Sequence, residues 1–171
     1  CTDRNAMFGS TYPHKRVATR KKETLMGGTY WSDADYTSRS SAKVKSHGTA
    51  FAYDADIKIG KADKVAHPTL DPKGLKLRES RDSDAHPNSN AIMVWLDETG
   101  SMSDVIHEIY QSLPQLMGIV TRKNYIAHPQ IMFSAIGDAN SDRVPLQVGQ
   151  FESGAEMEGD LGNFYLEQNG G

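Results

Sequence analysis

Ile92-Met93-Val94-Trp95-Leu96, followed at once by Asp97-Glu98-Thr99-Gly100-Ser101-Met102, is the stretch on which the fold turns. A continuous apolar run bounded by turn formers is the mark of a strand buried on both faces. The residues after it change period. Ile106, Ile109, Tyr110, Leu113, Leu116, Met117 and Val120 recur at the spacing of one helical face. Ser103 and Asp104 supply cap-type residues near the start of that helix, and Pro114 inside the pattern predicts a kink or a split. A second strand is predicted over Ile131-Met132-Phe133-Ser134-Ala135-Ile136, ending in Gly137-Asp138. Strand, helix, strand in this order reads as the opening of a parallel α/β sheet with flanking helices. Val144 to Val148 reads as a short third strand with an edge-type Pro145, and Leu161, Phe164, Tyr165 and Leu166 as a final helix.

Working outward, the chain divides into three parts. Residues 1–49 are polar and rich in Ser, Thr, Gly and Arg without useful periodicity, which predicts a basic arm that docks on something else. Residues 50–90 form an irregular linker region, with a strand or a helical turn expected over Asp54 to Ile59 and Pro-containing breakers after it. Residues 91–171 carry the α/β pattern. Charge divides along the same line. Residues 1–90 hold 16 Lys+Arg against 11 Asp+Glu, and residues 91–171 hold 3 against 11, so two segments with different jobs are expected. The acidic tract Glu152, Glu156, Glu158, Asp160 and Glu167 reads as a solvated face, with docking against the basic half as its functional alternative.

The composition also excludes. No stretch approaches the ~20 apolar residues that span a bilayer. A lone cysteine, Cys1, rules out an internal disulfide framework and a Cys-rich zinc site. No basic segment leads into an apolar one as a secretory signal would, and the chain begins without Met, so a processed or partial polypeptide is expected. The basic cluster His14-Lys15-Arg16 with Arg20-Lys21-Lys22 lacks the interleaved aromatics of a single-strand platform, so nucleic acid is not the expected partner. His67, His86, His107 and His128 do not cluster in sequence and read as structural or solvated. Met93, Met102, Met117 and Met132 read as core.

Ligand sites in open α/β sheets lie at the carboxyl ends of strands. Asp97, Thr99 and Ser101 fall at such an end, two residues apart, on a loop that enters a helix. One carboxylate and two hydroxyls make a hard-oxygen set suited to Mg²⁺, Mn²⁺ or Ca²⁺. The helix N-terminus beyond favours an incoming anion, so such a site should capture a partner's carboxylate. A plain helix-capping role explains one of these side chains but not three in alternation.

Asp97-Glu98-Thr99-Gly100-Ser101-Met102 after an apolar strand resembles the metal-ion-dependent adhesion motif of von Willebrand factor A domains, D-x-[ST]-x-S. Arg78 to Asp84, Ile136-Gly137-Asp138-Ala139 and Pro145 to Ser153 are similar to stretches in bacterial and phage proteins carrying that domain. The resemblance covers roughly the second half of the chain, with weaker echoes from Phe51 onward. It implies the first half of a Rossmann-like parallel sheet, with Thr99 and Ser101 binding the ion directly and Asp97 partly through water. It further implies metal-dependent protein–protein attachment without catalysis, in a subunit of a larger assembly. The settings it implies are cytoplasmic or virion, with neighbouring subunits or an AAA-type ATPase as partners and no membrane. A complete domain of that family supplies a distal Thr and a late Asp, so further polypeptide or a partner chain is expected to complete the site. Asp138 and Asp142 are candidates for additional or supporting metal contacts, outside the family's own later Asp position.

The same residues also resemble the haloacid dehalogenase-type phosphatases. In that reading Asp97 is the nucleophile, and Asp138 and Asp142 of Gly137-Asp138-Ala139-Asn140-Ser141-Asp142 hold Mg²⁺. Against it, no catalytic Lys is evident on a further strand, and position 99 is Thr where a second Asp would serve as general acid.

Overall fold

In the computed structural model, which describes residues 29–167, the deciding stretch forms strand β1 (Asn90–Asp97). It passes through a single 3₁₀ turn, Gly100–Met102, into helix α3 (Ser103–Arg122). The chain returns in β2 (Pro129–Ile136), which pairs with β1 in parallel, Ile92 beside Ile131 and Asp97 beside Ile136. Strand β3 (Leu146–Val148) then pairs antiparallel with β2, giving a three-stranded, mostly parallel sheet in the order β1-β2-β3. Helices α1 (Asp33–His47), α2 (Ala52–Lys58) and α4 (Met157–Gly162) complete the described elements. None of these helices is long and apolar enough to cross a membrane.

Residue alternation decides which face of the sheet is dry. Leu96, Ile131, Phe133 and Ala135 point to one side, where Ile106, Tyr110, Leu113 and Met117 of α3 meet them. Tyr36, Phe51, Leu161 and Phe164 close the same core. On the opposite side Met132 and Ser134 of β2 are buried, and the Gln130 amide is bound by Ser80 and Arg81 of the incoming chain. Met93 and Trp95 of β1 remain about half exposed there, at 46% and 49%. The expectation of a strand buried on both faces, made for β1, therefore fails, because β1 is an edge strand in this sheet and β2 is the one enclosed on both sides. Met117 and Met132 are core as expected, and Met93 is not.

Three other expectations need correction. Helix α1 lies inside the segment read as an arm without periodicity, while residues 1–28 of that arm lie outside the described residues. Of the kink or split expected at Pro114 the split does not occur, and α3 runs unbroken for 20 residues. The carbonyl a proline leaves without its i+4 donor is that of Tyr110, and here it accepts the Tyr36 hydroxyl at 2.5 Å. Finally, the last helix covers Met157–Gly162, so Leu161 lies in it while Phe164, Tyr165 and Leu166 follow it as buried irregular chain. Over Asp54 to Ile59 the helical alternative is the one realised, in α2.

Candidate metal centre

Alternation along β1 sends Asp97 to the open side with Met93 and Trp95, and the next residue, Glu98, inward behind Leu96. Asp97 is exposed, and its Oδ1 accepts the Thr99 N–H at 2.9 Å. That bond curls the loop back on the strand end, and the 3₁₀ turn continues the curl, with Met102 N–H donating to the Thr99 carbonyl at 2.9 Å. The result brings Thr99 Oγ1 to 3.3 Å from Ser101 Oγ. The three sequence-predicted oxygens thus share one end of one strand.

None of the three caps the helix. The residue at the cap position of α3 is Met102, and no side chain makes a capping hydrogen bond there. The hydroxyls of Thr99 and Ser101 face each other instead, two neutral oxygens beside an ionisable one. A pair of hydroxyl oxygens at that separation, next to a carboxylate on the same loop, fits an octahedral, hard cation that keeps several positions open. The donor set therefore fits Mg²⁺ or Mn²⁺, with Ca²⁺ also compatible by ligand chemistry.

Asp138 and Asp142 lie in the turn after β2, one strand over from Asp97. They bind each other's backbone: Asp142 Oδ2 accepts the Asp138 N–H at 2.6 Å, and Asp142 N–H donates to the Asp138 carbonyl at 2.9 Å. Asp138 Oδ1 accepts the Asn140 N–H at 2.8 Å. That bond and those from Ser141 hold the Asp138 carboxyl below the usual carboxylate range. Asp142 Oδ1, by contrast, is buried without a hydrogen-bond partner among the described residues. A Cβ on Gly137 would come 2.4 Å from Asp142 Oδ2, so a larger residue there would have to displace that carboxylate from the Asp138 N–H. Among the described residues no group of three or more His, Cys, Asp or Glu side chains is placed to hold an ion.

Glu98 is the residue the motif leaves as a spacer, yet it is the most unusual acid of the loop. It is 2% exposed, and Gln147 Nε2 donates to its Oε1. Burial pushes its carboxyl up to about 9, with the nearby charges of Asp142, Glu167, Asp54 and Asp97 adding in the same direction. The signal was the strand's own alternation carried one residue past Asp97. Of the histidines, His86 is buried with its ring 5.6 Å from that of His128, a meeting that no local pattern announces.

No family model matches the chain, no curated protein matches it, and no solved structure matches it. The assignment of this loop accordingly rests on its own residues and geometry.

Proposed function

We propose that this chain is a metal-dependent protein–protein interaction module of von Willebrand factor A type. In this reading Asp97, Thr99 and Ser101 hold one divalent cation, most simply Mg²⁺. When bound, the ion supplies a coordination position that a carboxylate from a partner protein fills. The two hydroxyls add no charge of their own, so the cation keeps enough positive character to take a second carboxylate. The module serves attachment within a larger assembly, such as a virion or an ATPase-linked complex, with neighbouring subunits as partners.

The observation that supports the reading is one short loop at the end of β1 that carries the Asp97 carboxylate, bound to the Thr99 N–H, and two hydroxyls 3.3 Å apart that cap no helix. It also separates the proposal from the phosphatase alternative. That chemistry needs the carboxylates of Asp97, Asp138 and Asp142 around one ion, whereas Asp138 and Asp142 are turned onto each other's turn. A single-carboxylate site asks nothing of them.

The test uses the metal alone. Titration of the intact chain with Mn²⁺, followed by electron paramagnetic resonance, should show one saturable site. Asp97→Ala should weaken it at least tenfold while the far-ultraviolet spectrum stays unchanged. Acetate added to the loaded protein should perturb the Mn²⁺ signal of the wild type. Equal Mn²⁺ binding by wild type and Asp97→Ala would remove the basis of the proposal.

A further inference from the structure

A groove of about 630 Å³ lies between the 64–73 segment and the start of β3, apart from the β1 loop. Val65, 53% exposed, and Leu146, 36% exposed, give it apolar surface, with the buried Val144 behind them. Lys64, Lys73 and Arg143 ring it with positive charge, and all three side chains are exposed. None of them is in an ion pair among the described residues, where the paired cations are Arg39, Lys43, His47, Lys58 and Arg81. A second cavity of about 360 Å³ shares Lys64 and Arg143, so two unpaired cations stand where the cavities meet. The acid on the rim, Asp71, accepts the Lys73 backbone N–H at 2.9 Å and is committed to its own turn. Three prolines, Pro68, Pro72 and Pro145, stiffen the walls, which lowers the ordering cost of binding.

We propose that this groove is a docking site for an acidic, extended segment of a partner protein. Charge complementarity selects the occupant. An extended segment alternates its side chains, so carboxylates can meet Lys64, Lys73 and Arg143 while apolar residues between them settle on Val65 and Leu146. Arg143 offers a planar, bidentate fork for a carboxylate. A nucleic acid fits less well. Its charge repeats at every unit, whereas the groove sets its cations among apolar residues. The groove lining also contains no aromatic ring on which a base would stack. The site needs no metal, and so goes beyond the attachment proposed for the β1 loop.

The experiment immobilises the full chain in excess chelator and offers a pool of decapeptides alternating Asp or Glu with Leu, Val or Pro. A matched pool carries Asn and Gln in place of the acids. The acidic pool should be retained, less so as salt rises, and the double variant Lys73→Glu, Arg143→Glu should cut retention at least tenfold. Both positions are exposed, so an unchanged melting temperature is expected and identifies the loss as one of binding. Asp97→Ala should bind the pool like the wild type, which keeps failure here distinct from failure of the metal site. Equal retention of the neutral pool, no retention at all, or undiminished binding by the double variant overturns the proposal. So does stronger retention of a mixed-sequence single-stranded oligonucleotide, or of phosphatidylserine vesicles, through the same two residues.

Discussion

Glu98 and Asp97 are neighbours in sequence and opposites in environment, and that contrast has a consequence for pH. The Glu98 carboxyl is enclosed with Gln147, which is itself fully buried and bound to both the N–H and the carbonyl of Tyr165. Desolvation makes the charged form the costly one, so the acid keeps its proton to about pH 9 in the fold and to the ordinary 4.5 when unfolded. Below 4.5 the group is protonated in both states and contributes no pH dependence. Between 4.5 and 9 the unfolded chain releases the proton and the folded chain does not, so this group's contribution to stability falls as pH rises. Glu98→Gln removes that decline. In chelator, urea midpoints of the variant should match the wild type near pH 4.5 and exceed it increasingly from pH 6 to 9. Parallel curves for the two proteins would show that Glu98 ionises normally. The residue types of the candidate site are legible because they follow an apolar strand at a spacing of two, which places all three on one short loop. The role of Glu98 was not, because a motif treats it as a spacer and only the pleat assigns it to the core.

Helix α3 shows how one element depends on another for a backbone partner. Its apolar periodicity made the helix legible, and Pro114 argued for a kink or a split, of which the split does not occur. The reason lies 74 residues upstream, in a hydroxyl that replaces the missing N–H at the Tyr110 carbonyl. Tyr36 is 4% exposed, and burial raises its hydroxyl well above the usual tyrosine range, which keeps it a donor. Tyr36→Phe keeps the ring and orphans the carbonyl, at a cost of about 1–3 kcal/mol for an unsatisfied buried acceptor. Pro114→Ala restores an N–H to the same carbonyl, so in that background the cost of Tyr36→Phe should fall by at least half. Equal costs in the two backgrounds, measured by urea unfolding, would show that the hydroxyl does not substitute for the proline's absent donor. The helix that carries Tyr36 escaped the sequence for a related reason. Only Tyr36 of α1 is buried, so no apolar stripe exists to read. Its signals are terminal: Ser32 accepting the Asp35 N–H, two acids in the first turn, and Gly48 at φ 74° closing the end. Length of periodic pattern finds helices that face a core broadly, and caps alone find those that touch it at one residue.

Across the whole molecule the opposite charges of the two halves are partly spent on each other. Two acids of the tract expected to be a solvated face meet α1: Glu158 is 1% exposed and pairs with Lys43 at 3.1 Å, while Glu156 pairs with Arg39 at 3.6 Å. The alternative of docking against the basic half is realised for these two, whereas Asp160 and Glu167 accept backbone N–H groups of the acidic half itself. Composition could show the two charge blocks but not their contact, because pairing across 115 residues leaves no local pattern. The two pairs differ in what they hold. Lys43 also donates to the Glu158 carbonyl, Tyr110 donates to Glu158 Oε1, and the set joins α1, α3 and α4 around a Glu158 carboxylate that is 1% exposed, with Lys43 itself 22% exposed. Arg39 and Glu156 are half-exposed and screened. Removing one partner of a buried pair leaves an uncompensated charge and costs about 3 kcal/mol or more, whereas an exposed pair is worth under about 1 kcal/mol. Lys43→Ala should therefore lower the urea midpoint substantially, and 0.5 M salt should not close the gap. Arg39→Ala should lie near the wild type at any salt. If α1 were an appendage rather than part of the folding unit, Lys43→Ala would leave the unfolding of the sheet and α3 unchanged, and the fluorescence of Trp95 on β1 would unfold at the wild-type midpoint in a variant whose other tryptophan, Trp31, is replaced by Phe.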